Sequence, residues 1–211
     1  MSDWPKKRRT LILPKQFKDS FGKNVCVAFF DADQTLRTSK SGKPSPHGAK
    51  DTEIYKHCTA KLFETAQKNY LLAIVSNQAG IKLGFITVGE VIESMHATIE
   101  YFASQGVFFN YYDFAENYDD HRKPNTGMAL LLEQKLKESG LTLDWNNSFM
   151  VGDAAYKRKV DIQPNGKPGT DHSNTDRLFA ENIAKTHKGF KFYHPREFFG
   201  APDTTKRGQK R

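Results

Sequence analysis

Val25-Cys26-Val27-Ala28-Phe29-Phe30-Asp31-Ala32-Asp33-Gln34-Thr35 joins six apolar residues to an acidic turn. A continuous apolar run, β-branched and aromatic, is the profile of a parallel strand buried on both faces. The pattern returns at Leu71-Leu72-Ala73-Ile74-Val75, which ends in Ser76-Asn77-Gln78, and at Phe149-Met150-Val151, which ends in Gly152-Asp153. Val107 to Phe114 reads as a further strand, and Phe190-Lys191-Phe192-Tyr193 as a last one at an edge.

Helical signals lie between these runs. From Asp51 to Tyr70, Ile54, Cys58, Leu62 and Ala66 recur every four residues, which predicts one helical face. Thr87 is placed as an N-cap with Glu90 at the capping-box position, and that helix should run to about Ser104. Met128, Leu131, Leu132 and Leu136 mark an amphipathic helix from Thr126 to Ser139, stopped at Gly140. Another helix is expected from Thr175 to about Ala184, and residues 39–50 (SKSGKPSPHGAK) read as a loop. Strands alternating with helices predict an α/β, Rossmann-like three-layer sandwich around a parallel sheet.

The chain has 211 residues, 37% of them hydrophobic, enough for a core without disulfides or a structural metal. No apolar run approaches the roughly 18 residues of a membrane span, so a soluble intracellular protein is expected. Cys26 and Cys58 are too few for a disulfide framework or a Cys-rich zinc site; Cys26 reads as a small buried hydrophobe. The net charge of +8 favours polyanionic partners. Part of it comes from Lys6-Lys7-Arg8-Arg9, either a solvated tail or a nuclear import signal, and part from the closing Lys and Arg residues. The expected organisation is a basic segment over 1–20, a catalytic domain over 21–200 and a basic tail over 201–211.

Ligands bind at the carboxyl ends of strands in open α/β sheets. Here those ends carry Asp31, Ser76, Lys123 and Asp153. Asp31 and Asp33, delivered into one turn, repel each other unless a cation compensates. A hard divalent ion would do so, leaving one carboxylate to attack phosphorus and the other to handle a proton. Ser76 with exposed backbone N–H groups, Asn77 included, suits phosphate oxygens, and Lys123 offers a point charge. Singly, each of these motifs is common in turns and means little.

Taken in order, Asp-x-Asp-x-Thr, then Ser, then Lys, then Gly-Asp resembles the haloacid dehalogenase superfamily, here with little or no cap. Arg122-Lys123-Pro124-Asn125-Thr126-Gly127-Met128, Gly152-Asp153-Ala154-Ala155 and Asp171-His172-Ser173-Asn174-Thr175-Asp176 resemble segments of the polynucleotide 3'-phosphatases. So do Phe179-Ala180-Glu181-Asn182 and the ending Pro195-Arg196-Glu197-Phe198-Phe199. No Walker A sequence is present, so the likeness is to the stand-alone members.

The resemblance implies that Asp31 attacks phosphorus and Asp33 is the acid, then the base. It implies Mg2+ on the Asp31 carboxylate, the Asp33 carbonyl and Asp153, with Ser76 and Lys123 on phosphate oxygens. Asp176 would act through a metal-bound water or by positioning Lys123, and Thr35 would shape the loop. The implied substrate is a DNA end bearing a 3'-phosphate, in strand-break repair; separately, a monomer is expected, nuclear if eukaryotic on the strength of the basic N-terminus. Tyr156-Lys157-Arg158 stand where relatives carry Gly-Arg, and residues 156–174 form a basic insert. Arg122, Tyr156, Lys157 and Arg158 are candidate DNA contacts, Tyr156 through stacking. The competing readings are a small-molecule phosphatase acting on histidinol phosphate or a heptose bisphosphate, and an inactive DNA-end-binding protein.

Overall fold

A computed structural model describes residues 5–13, 23–157 and 173–200. The opening apolar run is split at Cys26 into β1 (Asn24–Val25) and β2 (Val27–Phe30). An antiparallel pair follows, β3 (Arg37–Ser39) with β4 (Thr52–Ile54). Next come α1 (Thr59–Gln67), β5 (Leu71–Asn77), α2 (Val88–Ser104), β6 (Tyr111–Ala115) and α3 (Gly127–Glu138). Then β7 (Thr142–Leu143), β8 (Phe149–Val151), α4 (Thr175–Ala184), β9 (Lys191–Tyr193) and the short α5 (Pro195–Phe199).

Five strands form one parallel sheet in the order β6-β5-β2-β8-β9. The chain starts at the centre, runs outward through β5 and β6, and returns to the other side of β2. The strand order therefore reverses beside β2, the place where such sheets open a crevice. Side chains along β2 alternate between two cores. Val27 and Phe29 join Met128, Leu132 and Phe179 on one face of the sheet. Ala28 and Phe30 join Leu62, Met95, Ile99 and Phe102 on the other. Each fully buried phenylalanine contributes about 1.5–3 kcal/mol. Among the described residues there is no separate cap domain; the β3–β4 pair and residues 78–86 flank the crevice.

Several expectations meet corrections. The helix predicted from Asp51 begins only at Thr59, because Thr52–Ile54, inside the predicted helix, pairs as a strand with Arg37–Ser39. Strand β6 starts at Tyr111, four residues later than predicted. Cys58 is the buried thiol, pushed up to about 12 by burial, whereas Cys26 is only half-buried at the β1–β2 break. The basic N-terminal run is not simply a solvated tail. Arg8 and Arg9 ion-pair with the buried Asp113, and Arg8 also with Glu116. The backbone N–H groups of Arg9 and Ile12 donate to the carbonyls of Tyr112 and Asn110, each at 2.9 Å, on the outer side of β6. The capping box of Thr87 and Glu90 forms as predicted.

Candidate active site

Register assembles the site. Phe30 lies level with Ile74 on one side and Val151 on the other. Asp31, Ser76 and Asp153, one or two residues further on, therefore emerge together from adjacent strands. The Asp31 amide is pinned to the Val151 carbonyl at 2.9 Å.

Lys123 is fully buried, and its Nζ meets three acceptors: Asp31 Oδ1 at 2.6 Å, the Val75 carbonyl at 2.7 Å and Asp176 Oδ1 at 2.7 Å. Burial opposes its charge, but Asp176 and Asp31 outweigh this and hold its pKa above the usual lysine value. Asp176, in the first turn of α4, is tied back to the Asp153 loop: the Ala154 N–H donates to Asp176 Oδ2 at 3.1 Å, and the Asp176 N–H to the Ala154 carbonyl at 3.1 Å. Gly152 allows that approach, since a Cβ there would collide with the Asp176 carboxylate. Gly127 has a similar part, a Cβ there lying 2.6 Å from the Asp120 carbonyl in the turn before Lys123.

Asp31, Asp153 and Asp176 each bring a carboxylate oxygen within 4.8 Å of the other two. Burial raises the Asp31 carboxyl to about 7, with Lys123 working against it and Asp176 and Asp33 adding to it. Burial likewise carries Asp153 to about 8, reinforced by Asp31 and Asp176. One ammonium does not balance three carboxylates in a buried place, and crowded oxygen donors are what a hard divalent cation takes. The donor set fits such an ion. Asp31 and Asp153 are in the expected set, and Asp176, expected to position Lys123 or act through a metal-bound water, lies with them while ion-paired to Lys123 at 2.7 Å. Thr35 is buried and its hydroxyl lies 3.5 Å from Asp153 Oδ1, consistent with a loop-shaping part.

Asp33 faces another way. Its Oδ1 accepts from Arg37 Nε at 2.8 Å and its Oδ2 from Gln78 Nε2 at 2.8 Å. The same Gln78 amide donates to Ser76 Oγ at 3.0 Å, so one buried side chain links the two. The Asn77 side chain has a part of its own: its Nδ2 donates to the Lys123 carbonyl and its Oδ1 accepts from the Lys123 N–H, so the amide positions Lys123. Gln78 and Arg37 were not singled out by the sequence reading. Period-two alternation puts residue 78 on the side of residue 76, which was a usable signal. A fully buried arginine four residues after Asp33 carried none.

The carboxylates lie in a cleft of about 1010 Å³, lined also by Ser76, Gln78, Lys43, His47, Phe85 and Arg122. Tyr156 is half-buried and Lys157 exposed, and both lie beyond the residues that line the cleft. Arg158 and most of the 156–174 insert lie outside the described residues. Tyr118 is exposed and is flanked by Arg122 at 4.8 Å and Lys82 at 5.6 Å from its ring.

The sequence matches the family model described as polynucleotide kinase 3 phosphatase over residues 26–199. The chain belongs to that family. Relatives of similar length and much longer ones both match the chain. An uncharacterized 20.8 kDa protein from the FGF-VUBI intergenic region of Autographa californica nuclear polyhedrosis virus is 30% identical over 176 residues, 83% of this chain and 86% of that one. The bifunctional polynucleotide phosphatase/kinase of Schizosaccharomyces pombe is 35% identical over 178 residues, 81% of this chain but only 36% of that protein. The fold is the haloacid dehalogenase type. The D,D-heptose 1,7-bisphosphate phosphatase of B. bronchiseptica, complexed with magnesium and phosphate, has a TM-score of 0.54 at 13% identity, over 75% of this chain and 76% of that one. This polynucleotide kinase 3 phosphatase family member is thus a phosphomonoesterase of that fold. No helix among its described residues is long and apolar enough to cross a membrane.

Proposed function

We propose that the protein removes the phosphate from the 3' end of a DNA strand, through a phosphoryl group carried transiently on Asp31, and serves strand-break repair. One observation carries the reading: Asp31, one of three clustered carboxylates, is held at 2.6 Å by a buried lysine where both line a large cleft. The family match supports the substrate class.

The chemistry divides among these residues. A carboxylate oxygen of Asp31 attacks phosphorus in line, and the bond from phosphorus to the 3'-oxygen breaks with its electrons going to that oxygen. The oxygen takes a proton from Asp33. Water then attacks phosphorus, Asp33 accepts its proton, and inorganic phosphate leaves with Asp31 restored. In the ground state both Asp33 oxygens accept hydrogen bonds, so Asp33 gives up one partner when it carries the proton. Ser76 offers its hydroxyl to a phosphate oxygen while Gln78 holds that hydroxyl's lone pair. Lys123 lies beside the nucleophile, where charge develops. The bound cation is proposed to be Mg2+, held by Asp31 and Asp153 with the Asp33 carbonyl and Asp176 close by. When bound, it supplies positive charge to the phosphoryl oxygens.

The test compares the protein with Asp31→Asn on an oligonucleotide bearing a 3'-phosphate, with magnesium and with EDTA. The 5'-phosphorylated oligonucleotide and histidinol phosphate serve as controls. Release of the 3'-phosphate alone, dependent on magnesium and lost in Asp31→Asn, is expected. Turnover of histidinol phosphate in its place would move the protein to a small-molecule substrate.

A further inference from the structure

The cleft is larger than a phosphate requires, at the top of the roughly 300–1,000 Å³ typical of small-ligand pockets. Its outer wall is not polar. Phe85 is 72% exposed, the most exposed large hydrophobic among the described residues, and Leu83 beside it is 54% exposed. Scattered surface apolar residues are ordinary. These two are neighbours, and both line the cleft that holds Asp31 and Lys123.

The loop that presents them is ordered. The Leu83 N–H donates to the Ala79 carbonyl at 3.2 Å, Gly84 to Ile81 at 3.0 Å, and Phe85 to Gly80 at 2.9 Å. Gly84 has φ +72°, and Ile86 is buried in the core just behind. The ring of Phe85 is therefore held out toward the cleft by its backbone. Two cations line the same cleft: Lys43, and Arg122, whose Nη1 is buried with no hydrogen-bond partner among the described residues.

We propose that Phe85, with Leu83, is the platform for the nucleobase of the 3'-terminal nucleotide, and that Arg122 receives the next phosphate along the strand. The proposal rests on the 3'-phosphatase reading. An apolar face in a cleft that also carries cations complements a strand end, whose bases are flat and apolar and whose linkages are anionic. Every base has a face to stack, so the platform favours a terminal base without choosing among the four. This makes Phe85 a specificity residue and not a catalytic one.

The experiment uses the full chain with magnesium and two oligonucleotides of equal length, both with a 3'-phosphate. One ends in an intact nucleotide and the other in an abasic residue. The wild type should prefer the intact end by about tenfold in kcat/KM, carried by KM, in line with the strength of base–aromatic stacking. Phe85→Ala should erase the preference, and Phe85→Trp should keep it. The ring is largely in solvent, so its loss leaves the fold intact, which circular dichroism verifies. Equal rates on both ends in the wild type, or a preference that survives in Phe85→Ala, would overturn the platform and leave the 3'-phosphatase reading standing. If the wild type released no phosphate from either oligonucleotide while hydrolysing another phosphomonoester, both readings would fall.

Discussion

Gly152 and Asp176 show how closely single residues set the site. A Cβ at 152 has nowhere to go except into the Asp176 carboxylate, which is already engaged with Lys123 and the Ala154 amide. Gly152→Ala should therefore lower stability by about 1–3 kcal/mol, the usual range for overpacking, and displace Asp176. A drop of tenfold or more in kcat with an unchanged circular dichroism spectrum is expected.

The raised carboxyls of Asp31 and Asp153 make a second prediction. Their folded pKa values, about 7 and about 8, lie above the 3.8 of a free Asp. The folded state then binds more protons than the unfolded one between about pH 4 and 8, so these groups favour folding at low pH. Their contribution is lost as pH rises through 7 and 8. Protein in EDTA should melt lower at pH 8 than at pH 5, and magnesium should raise Tm more at pH 8. An equal gain at both values would count against the carboxylate cluster as the metal site.

At the scale of elements, the strands that build the sheet were readable because they are buried on both faces. Phe29 and Phe30 point to opposite cores, so no polar residue interrupts the run. Helix α4 was readable to the residue. The β3–β4 pair was not, since its strands are three residues long and Arg37, a charged residue, is its most buried. The four-residue spacing of Ile54 and Cys58 imitated a helix there by chance. Asp31 and Asp153 were legible from their place after strands and Asp176 from the family resemblance, whereas the partners of Asp33 and the exposed Phe85 depend on how distant loops meet.

Asp113, at the centre of β6, organises another element. It accepts from Arg8, Arg9 and His121, the last at 2.5 Å. Burial would raise its pKa, but His121 and the two arginines outweigh that and hold it below the usual carboxylate range. Asp113→Ala strands these donors; removing one partner of a buried charge network costs about 3–5 kcal/mol. A Tm lower by about 10 °C, with a loosened Lys123 turn, is the expected outcome in a thermal melt.

The whole molecule carries a net charge of +8, and cations border the cleft. Binding of an oligonucleotide should therefore weaken with salt, while turnover of a small phosphomonoester should not. About three single-strand phosphate contacts would raise KM roughly twentyfold between 50 and 200 mM salt. A KM indifferent to salt would place the strand outside this charged rim.

The backbone of Arg9 to Ile12 lies along the outer side of β6. An uncovered strand edge is a template for pairing with another chain. By occupying that edge, the N-terminal segment hides Tyr111–Ala115, five buried residues rich in aromatics, from a second copy. A chain trimmed before Gln16 would retain every carboxylate of the site yet self-associate on concentration, so an aggregating preparation of such a fragment would report a bared edge and not a failed active site.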